Sequence, residues 1–369
     1  MLEEGKINAG EFETIVITFT LGSSILVAPS LLASNAKQDA WIASILSLII
    51  GLSFIFLYHK LLSLYPKMTF VEFSEAILGK WAGGFVSFLF LSYFFIVSAG
   101  LLREIGDFLT TQIMVETPIQ MVMISFIIIC MAGVKLGIEV ICRTAVIFFP
   151  WMTLLLLLLF LFLIPEIKLS NIQPIFGEGL KAISRATYSN LGLPYLELII
   201  FLMITPYITD KVKLKKAFYK GTIIGGVVLG ILIIFSILVL GADFSARNAY
   251  PSYILGKKIS LGTVLERMEV IVAIIWFFSM FFKLTICYYG ITLGIAQVFR
   301  LKNYKILVSP LAFLIVTFAI ILYPDIVYFQ DFIAHTWTPY SLSICFFLPF
   351  ILLIVAQVKK MKTYTKRER

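Results

Sequence analysis

Charge is scarce in this chain. Asp, Glu, Lys and Arg make up 14% of its 369 residues, against about a quarter in an average soluble domain. Histidine occurs twice, as His59 and His335, far apart and without a carboxylate motif that would complete a metal site. The four cysteines, Cys130, Cys142, Cys287 and Cys345, form no C-x-x-C pair and lie within or beside apolar segments. That pattern reads as small core hydrophobes rather than a disulfide or zinc framework. The sequence has no G-x-x-x-x-G-K-[ST] phosphate loop, no H-E-x-x-H and no G-x-S-x-G, so nothing marks it as an enzyme. No metal and no cofactor are expected. The formal net charge of +9 does not indicate nucleic acid, because the basic residues sit in short loops between apolar segments rather than on one stripe.

Apolar residues are plentiful. They form 60% of the chain, with a mean hydropathy of +1.00, so the lipid bilayer is the expected solvent. The 34 Phe and 16 Tyr suit lipid-facing and interfacial packing. Met1–Lys6 is not distinctly basic, and the first apolar run is too long for a signal-peptide core, so no cleaved leader is expected. Ten spans are expected, at residues 12–35, 40–60, 81–107, 117–135, 141–164, 186–209, 217–242, 266–299, 304–323 and 338–358. They form a single polytopic membrane domain, spans 1–5 over about 12–164 and spans 6–10 over about 186–358, with a basic tail at 359–369. With the N-terminus inside, twenty of the 30 Lys and Arg residues face the cytoplasm, nine face outward, and Lys283 lies within a span. The excess places both termini in the cytoplasm. Between spans 2 and 3, residues 67–80 read as a short amphipathic helix, started by a capping box from Thr69 to Glu72. The loop at 243–265 is either an outer gate or a connector.

Two spans are interrupted at matching places in the two halves. The first carries Gly22-Ser23-Ser24, and the sixth carries Gly192-Leu193-Pro194 followed by Glu197. Free backbone groups at membrane depth are tolerated only against protein or a hydrated cavity. A matched pair of breaks points to a central small-molecule or ion site in a transporter-like scaffold. The amides that open the second half of span 1 favour an anion such as a carboxylate, which makes Gly22, Ser23 and Ser24 candidate ligand contacts. The alternative is a small-residue face for close helix packing. Gly192, Pro194 and Glu197 are the candidates at the other break. Roles open to Glu197 are binding a substrate amine, carrying a proton, holding a basic partner or capping the broken helix.

Lys283 lies 16 residues after Arg267 and 17 before Arg300, so each end is about 24–26 Å away along a helix. A lysine stem of ~6 Å cannot snorkel that far. Its ammonium must meet a carboxylate, backbone carbonyls or water; Glu197 and the carbonyls of the first break are candidates. Ser279, one turn earlier, and the i, i+4 pair Tyr93 and Val97 in span 3 are further candidates for the pocket wall. Arg103, Glu104 and Asp107 read as an interfacial network at the outer end of span 3. Glu266, Arg267 and Glu269 read as an outer gate or a solvated helix start.

Taken in order, several short features resemble the spore-germination permeases, the B subunits of endospore nutrient receptors, within the amino acid–polyamine–organocation transporter superfamily. They are Gly22 with Pro29; Tyr65-Pro66, Glu72 and Leu78-Gly79-Lys80-Trp81; Glu116-Thr117-Pro118; Asn171-Ile172-Gln173-Pro174 with Gly177-Glu178-Gly179; Glu197; Leu265-Glu266-Arg267-Met268-Glu269; and Tyr323-Pro324 with the basic tail. The resemblance covers nearly the whole length. It implies an all-α integral membrane fold of ten helices, a five-plus-five inverted repeat of the LeuT-like type with helices 1 and 6 broken. It also implies a receptor for a small germinant, an amino acid, sugar or nucleoside, working beside an A subunit and a lipoprotein C subunit in the spore inner membrane. The alternative within the same superfamily is a proton-coupled or sodium-independent amino-acid transporter. In sodium-coupled relatives spans 1 and 8 frame a cation site, and a lysine at 283 would stand in for that ion. Where relatives often carry Gly-x-Gly, this chain has Gly22-Ser23-Ser24.

Overall fold

A computed structural model describes residues 2–259 and 268–365. Glu266, Arg267 and the last four residues of the basic tail lie outside these. Among the described residues the architecture is helical, and its only strand-like pairing is a parallel bridge between Ile7 and Ile208. The chain runs through α1 (Ala9–Leu21), α2 (Ser24–Ala36), α3 (Ala40–Leu64), α4 (Phe70–Leu78), α5 (Lys80–Gln112), α6 (Ile119–Leu136), α7 (Ile138–Leu163) and α8 (Gly179–Leu191). It continues through α9 (Lys211–Phe235), α10 (Ala242–Arg247), α11 (Pro251–Lys258), α12 (Glu269–Val298), α13 (Val308–Ile321), α14 (Ile326–Asp331), α15 (Thr338–Leu342) and α16 (Leu348–Thr365).

Eight stretches of the described chain are long and apolar enough to cross a membrane. Their lipid-side faces carry large exposed hydrophobics such as Trp151, Phe313 and Ile321, which is stable only in hydrocarbon. The expected spans 1 and 6 are each interrupted by non-helical turns, at 22–23 and at 192–195. Span 6 starts earlier than the hydropathy suggests, because α8 begins at Gly179 with polar residues that periodicity assigns to a loop. After its break it tightens into a 3-10 helix, Leu196–Met203, in which every side chain is buried. The last span also starts early: Ile326 to Thr365 is one helical run with two wide π turns, Phe332–Trp337 and Ser343–Phe347.

Small residues let these helices approach. An added Cβ at Gly221 or Gly225 of α9 would lie 2.8 Å from Val16 or 2.7 Å from Thr20 of α1, so this four-residue spacing sets the α1–α9 contact. The helix expected at 67–80 is α4. Thr69 Oγ1 accepts from the Glu72 amide at 3.3 Å, and Glu72 Oε2 accepts from the Thr69 amide at 2.8 Å. Phe70 and Phe73 turn inward, and Phe70 stacks on Phe90 of α5 at 4.0 Å. The four cysteines are free and buried.

Candidate functional site

The first break is made by Gly22, which takes φ +21°. Its amide still closes the last turn of α1 onto the Thr18 carbonyl at 3.0 Å. A Cβ at this position would lie 2.3 Å from Lys283 Cδ and 2.9 Å from the Phe19 carbonyl. Both the backbone angle and the passing lysine stem therefore require glycine. Past the second break, at 192–195, the chain re-forms as 3-10 helix. A Cβ on Gly192 would meet Thr338 Oγ1 at 2.7 Å, and that hydroxyl donates to the Ser189 carbonyl at 2.9 Å. The start of α15 thus holds the end of α8.

Lys283 of α12 joins the two breaks. Its ammonium is completely buried and lies 2.7 Å from Glu197 Oε2. It donates to Ser23 Oγ at 2.9 Å and to the Leu193 carbonyl at 3.3 Å. The Phe19 ring centroid is 5.3 Å away. An ammonium has three donors; here it has two hydrogen-bond acceptors and an ion-paired carboxylate around it. One acceptor comes from the first break and one from the second, and the carboxylate lies just beyond the latter. The carbonyl partner belongs to the second break, where the sequence suggested the first.

A central cavity of about 20 Å³, lined by Ser23, Val97, Leu193, Glu197 and Trp337, opens beside this junction. That is room for about one water, so the structure is closed around the site. Tyr93 stands behind the lining: its ring stacks on Trp337 at 5.3 Å and its hydroxyl bonds Ser341 Oγ at 2.8 Å. Ser24 Oγ is buried and has no hydrogen-bonding partner among the described residues. Ser279 turns its hydroxyl back to the Ile275 carbonyl at 2.8 Å, and Pro194 is buried in the second break. Neither lines the cavity, nor do Gly22, Ser24, Tyr93, Gly192 and Lys283 themselves.

Sequence reasoning missed Glu104. Arg103 and Asp107 do form a local pair, both Asp107 oxygens lying 3.0 Å from Arg103 Nε. Glu104 is instead 3% exposed and faces inward with Gly100 on the cavity wall. The signal was available, because Val97, Gly100, Leu101 and Glu104 fall at i, i+3, i+4 and i+7 on one helix face. A second cavity, of about 150 Å³, lies toward the face opposite the N-terminus. It is lined by Ser30, Ser34, Arg247 and Tyr250 and shares Glu104, Phe329 and Ile333 with the central one. Burial, and secondarily the Glu104 and Asp107 carboxylates, raise the Tyr250 phenol above its ordinary range, so it lines this cavity as a neutral hydroxyl.

The N-terminal segment seals the other face. Glu3 is buried and accepts from Tyr304 Oη at 2.9 Å, Tyr289 Oη at 3.2 Å and the Gly5 amide at 2.8 Å. Ile7 pairs with the end of the second broken span, its amide donating to the Tyr207 carbonyl at 3.1 Å and its carbonyl accepting from the Thr209 amide at 2.9 Å.

Comparison with known proteins gives a consistent set of relatives. A family model described as "Spore germination protein" matches residues 6–326. Spore germination protein KB of Bacillus subtilis (strain 168) is 29% identical over 313 residues, covering 84% of this chain and 83% of its own. Spore germination protein YndE of the same organism is 25% identical, covering 96% and 97%. Spore germination protein XB of Bacillus anthracis is 26% identical, covering 92% and 94%. Among solved structures, the nucleobase-cation-symport-1 family transporter Mhp1, closed with bromovinylhydantoin bound, superposes with a TM-score of 0.70 at 12% identity, covering 95% of this chain and 78% of that one. MhsT in complex with L-phenylalanine gives 0.65 at 15% identity, covering 96% and 99%. The fold is therefore that of these LeuT-like transporters.

Proposed function

This chain belongs to the spore germination protein family, and on that premise we propose that it is the permease-like B subunit of an endospore nutrient receptor. It senses a small germinant at the two helix breaks and works as one polytopic unit beside A and C subunits. Its place is the spore inner membrane, with both termini in the cytoplasm. The observation that carries the reading is the Lys283 junction, which ties Ser23, Leu193 and Glu197 beside a closed cavity.

The junction suggests how sensing works. A germinant that takes Ser23 Oγ or the Leu193 carbonyl removes an acceptor from a buried ammonium. Lys283 must then re-pair or move, and the two half-helices move with it. A ligand that binds the re-paired arrangement better shifts the equilibrium toward it. Transport by the isolated chain is the second reading, supported by the fold shared with transporters, although fold alone does not fix function.

Gly22→Leu is a poor probe of this site, because its side chain collides with Lys283 and the Phe19 carbonyl. Val97→Phe and Ser23→Ala change the cavity lining and leave Gly22 in place. In spores carrying this chain as their sole B subunit, both should raise the half-maximal germinant concentration at normal protein level, Val97→Phe the more. Unchanged sensitivity in both would place the site elsewhere. Uptake of labelled germinant by the chain alone in vesicles would favour transport.

A further inference from the structure

We propose that Glu104 is the receptor for a positively charged ammonium group on the ligand, so that the site selects amines and amino acids over neutral sugars and nucleosides. This rests on the reading of the helix breaks as a ligand site and names the ligand class for it. Binding a substrate amine is one of the roles the sequence leaves open for Glu197, but Glu197 is taken: Lys283 sits 2.7 Å from it with no exposure to solvent. Glu104 is the other carboxylate on the cavity wall. It is 3% exposed, and its Oε1 has no hydrogen-bonding partner among the described residues. The neighbouring Arg103 is unavailable, its Nε held by Asp107 and its Nη2 donating to the Pro324 carbonyl at 3.1 Å. A buried carboxylate left in this state is costly, and a cationic ligand group would satisfy it.

Its position fits a recognition step. Glu104 forms part of the partition between the larger cavity and the central one, with Phe329 and Ile333. A molecule passing from the larger cavity to the central one through this partition would meet this carboxylate. The same wall carries Tyr323, Phe332 and Trp337 among aliphatic side chains such as Val97 and Leu101. A carboxylate with no partner, beside aromatic side chains, suits an organic ammonium. A metal ion would need several oxygen ligands, and those of Ser23, Leu193 and Glu197 on this wall already face the Lys283 ammonium. The residues that would have to yield, Phe332 to Trp337, form a wide π turn, an arrangement frequent at functional sites.

The test uses the purified full-length chain in lipid nanodiscs and follows thermal stabilisation. The probes are the common amino acids, short alkylamines, the matching fatty acids, glucose, inosine and sodium chloride. At least one ammonium compound should stabilise the wild type while its deaminated counterpart does not. Glu104→Gln should raise its half-saturating concentration at least tenfold, and Glu104→Asp, which keeps the charge on a shorter stem, by less. Glutamine is isosteric, so the fold should hold; if it does not, the aspartate variant carries the comparison. Stabilisation of wild type by no amine, by sodium chloride alone, or equally in wild type and Glu104→Gln overturns the proposal. Glucose or inosine that binds both forms alike but is weakened by Val97→Phe ends the ammonium assignment and leaves the break site standing. Amine binding lost in Glu104→Gln yet untouched by Val97→Phe and Ser23→Ala keeps the Glu104 assignment and removes the breaks as its site.

Discussion

Lys283→Met removes one partner of a buried ion pair and strands Glu197. The expected loss is about 3–5 kcal/mol, seen as lower abundance and a lower unfolding midpoint in detergent. Adding Glu197→Gln should recover much of that stability, because the stranded charge disappears. It should not recover the nutrient response if the ammonium is the switching element. Acquired sodium dependence in Lys283→Met would show that the ammonium stands in for a coupling ion, while normal abundance with a normal response would exclude both roles. Lys283 was legible from sequence alone because distance settles its fate: no interface is within reach of its stem. Glu104 was overlooked because it sits between Arg103 and Asp107 in a triplet that looks interfacial. Two members of that triplet do pair with each other. The helix face that Glu104 shares with Val97 and Gly100, readable from their spacing, sets it apart.

At the scale of elements, the capping pattern of α4 was readable because it is local chemistry. Thr69→Ala should cost about 1 kcal/mol, since it loses the cap and also the hydrogen bond from Thr69 Oγ1 to Gln297 Oε1 at 2.8 Å. Faster amide exchange confined to residues 70–73 is the expected signature, and exchange unchanged there would mean that packing of Phe70 and Phe73 suffices. The helix breaks were also legible, through glycine and proline inside apolar runs. The 3-10 winding of Leu196–Met203 was not. Nothing in an all-apolar run distinguishes i→i+3 from i→i+4 pairing when tertiary packing decides it. The same holds for the contact between α1 and α9. Gly221→Leu should separate these helices and abolish folded protein, whereas Gly84→Leu, where an added Cβ meets nothing within 4 Å, should accumulate normally. Size-exclusion profiles of the two variants would tell them apart.

For the whole molecule, hydropathy placed most spans within a few residues, and the basic-residue excess assigned their direction. The 210–220 loop is therefore expected inside. A cysteine at Lys213 should resist an impermeant reagent applied to intact cells and react after permeabilisation; labelling from outside would invert the assignment. The sealed N-terminal face could not be foreseen, because Glu3 finds Tyr289 and Tyr304 only after some 300 residues of chain have folded.

That contact has a practical side for anyone preparing the protein. A purification handle or fluorescent fusion joined just ahead of Glu3 would sit beside its bonds to two tyrosines and close to the Ile7–Ile208 bridge. It would pull on the seal and select molecules with that face ajar. Toward the opposite end of the chain, Val358 of α16 is exposed. Handles belong there, and a receptor tagged at its front should be expected to behave as a different conformer from one tagged at its back.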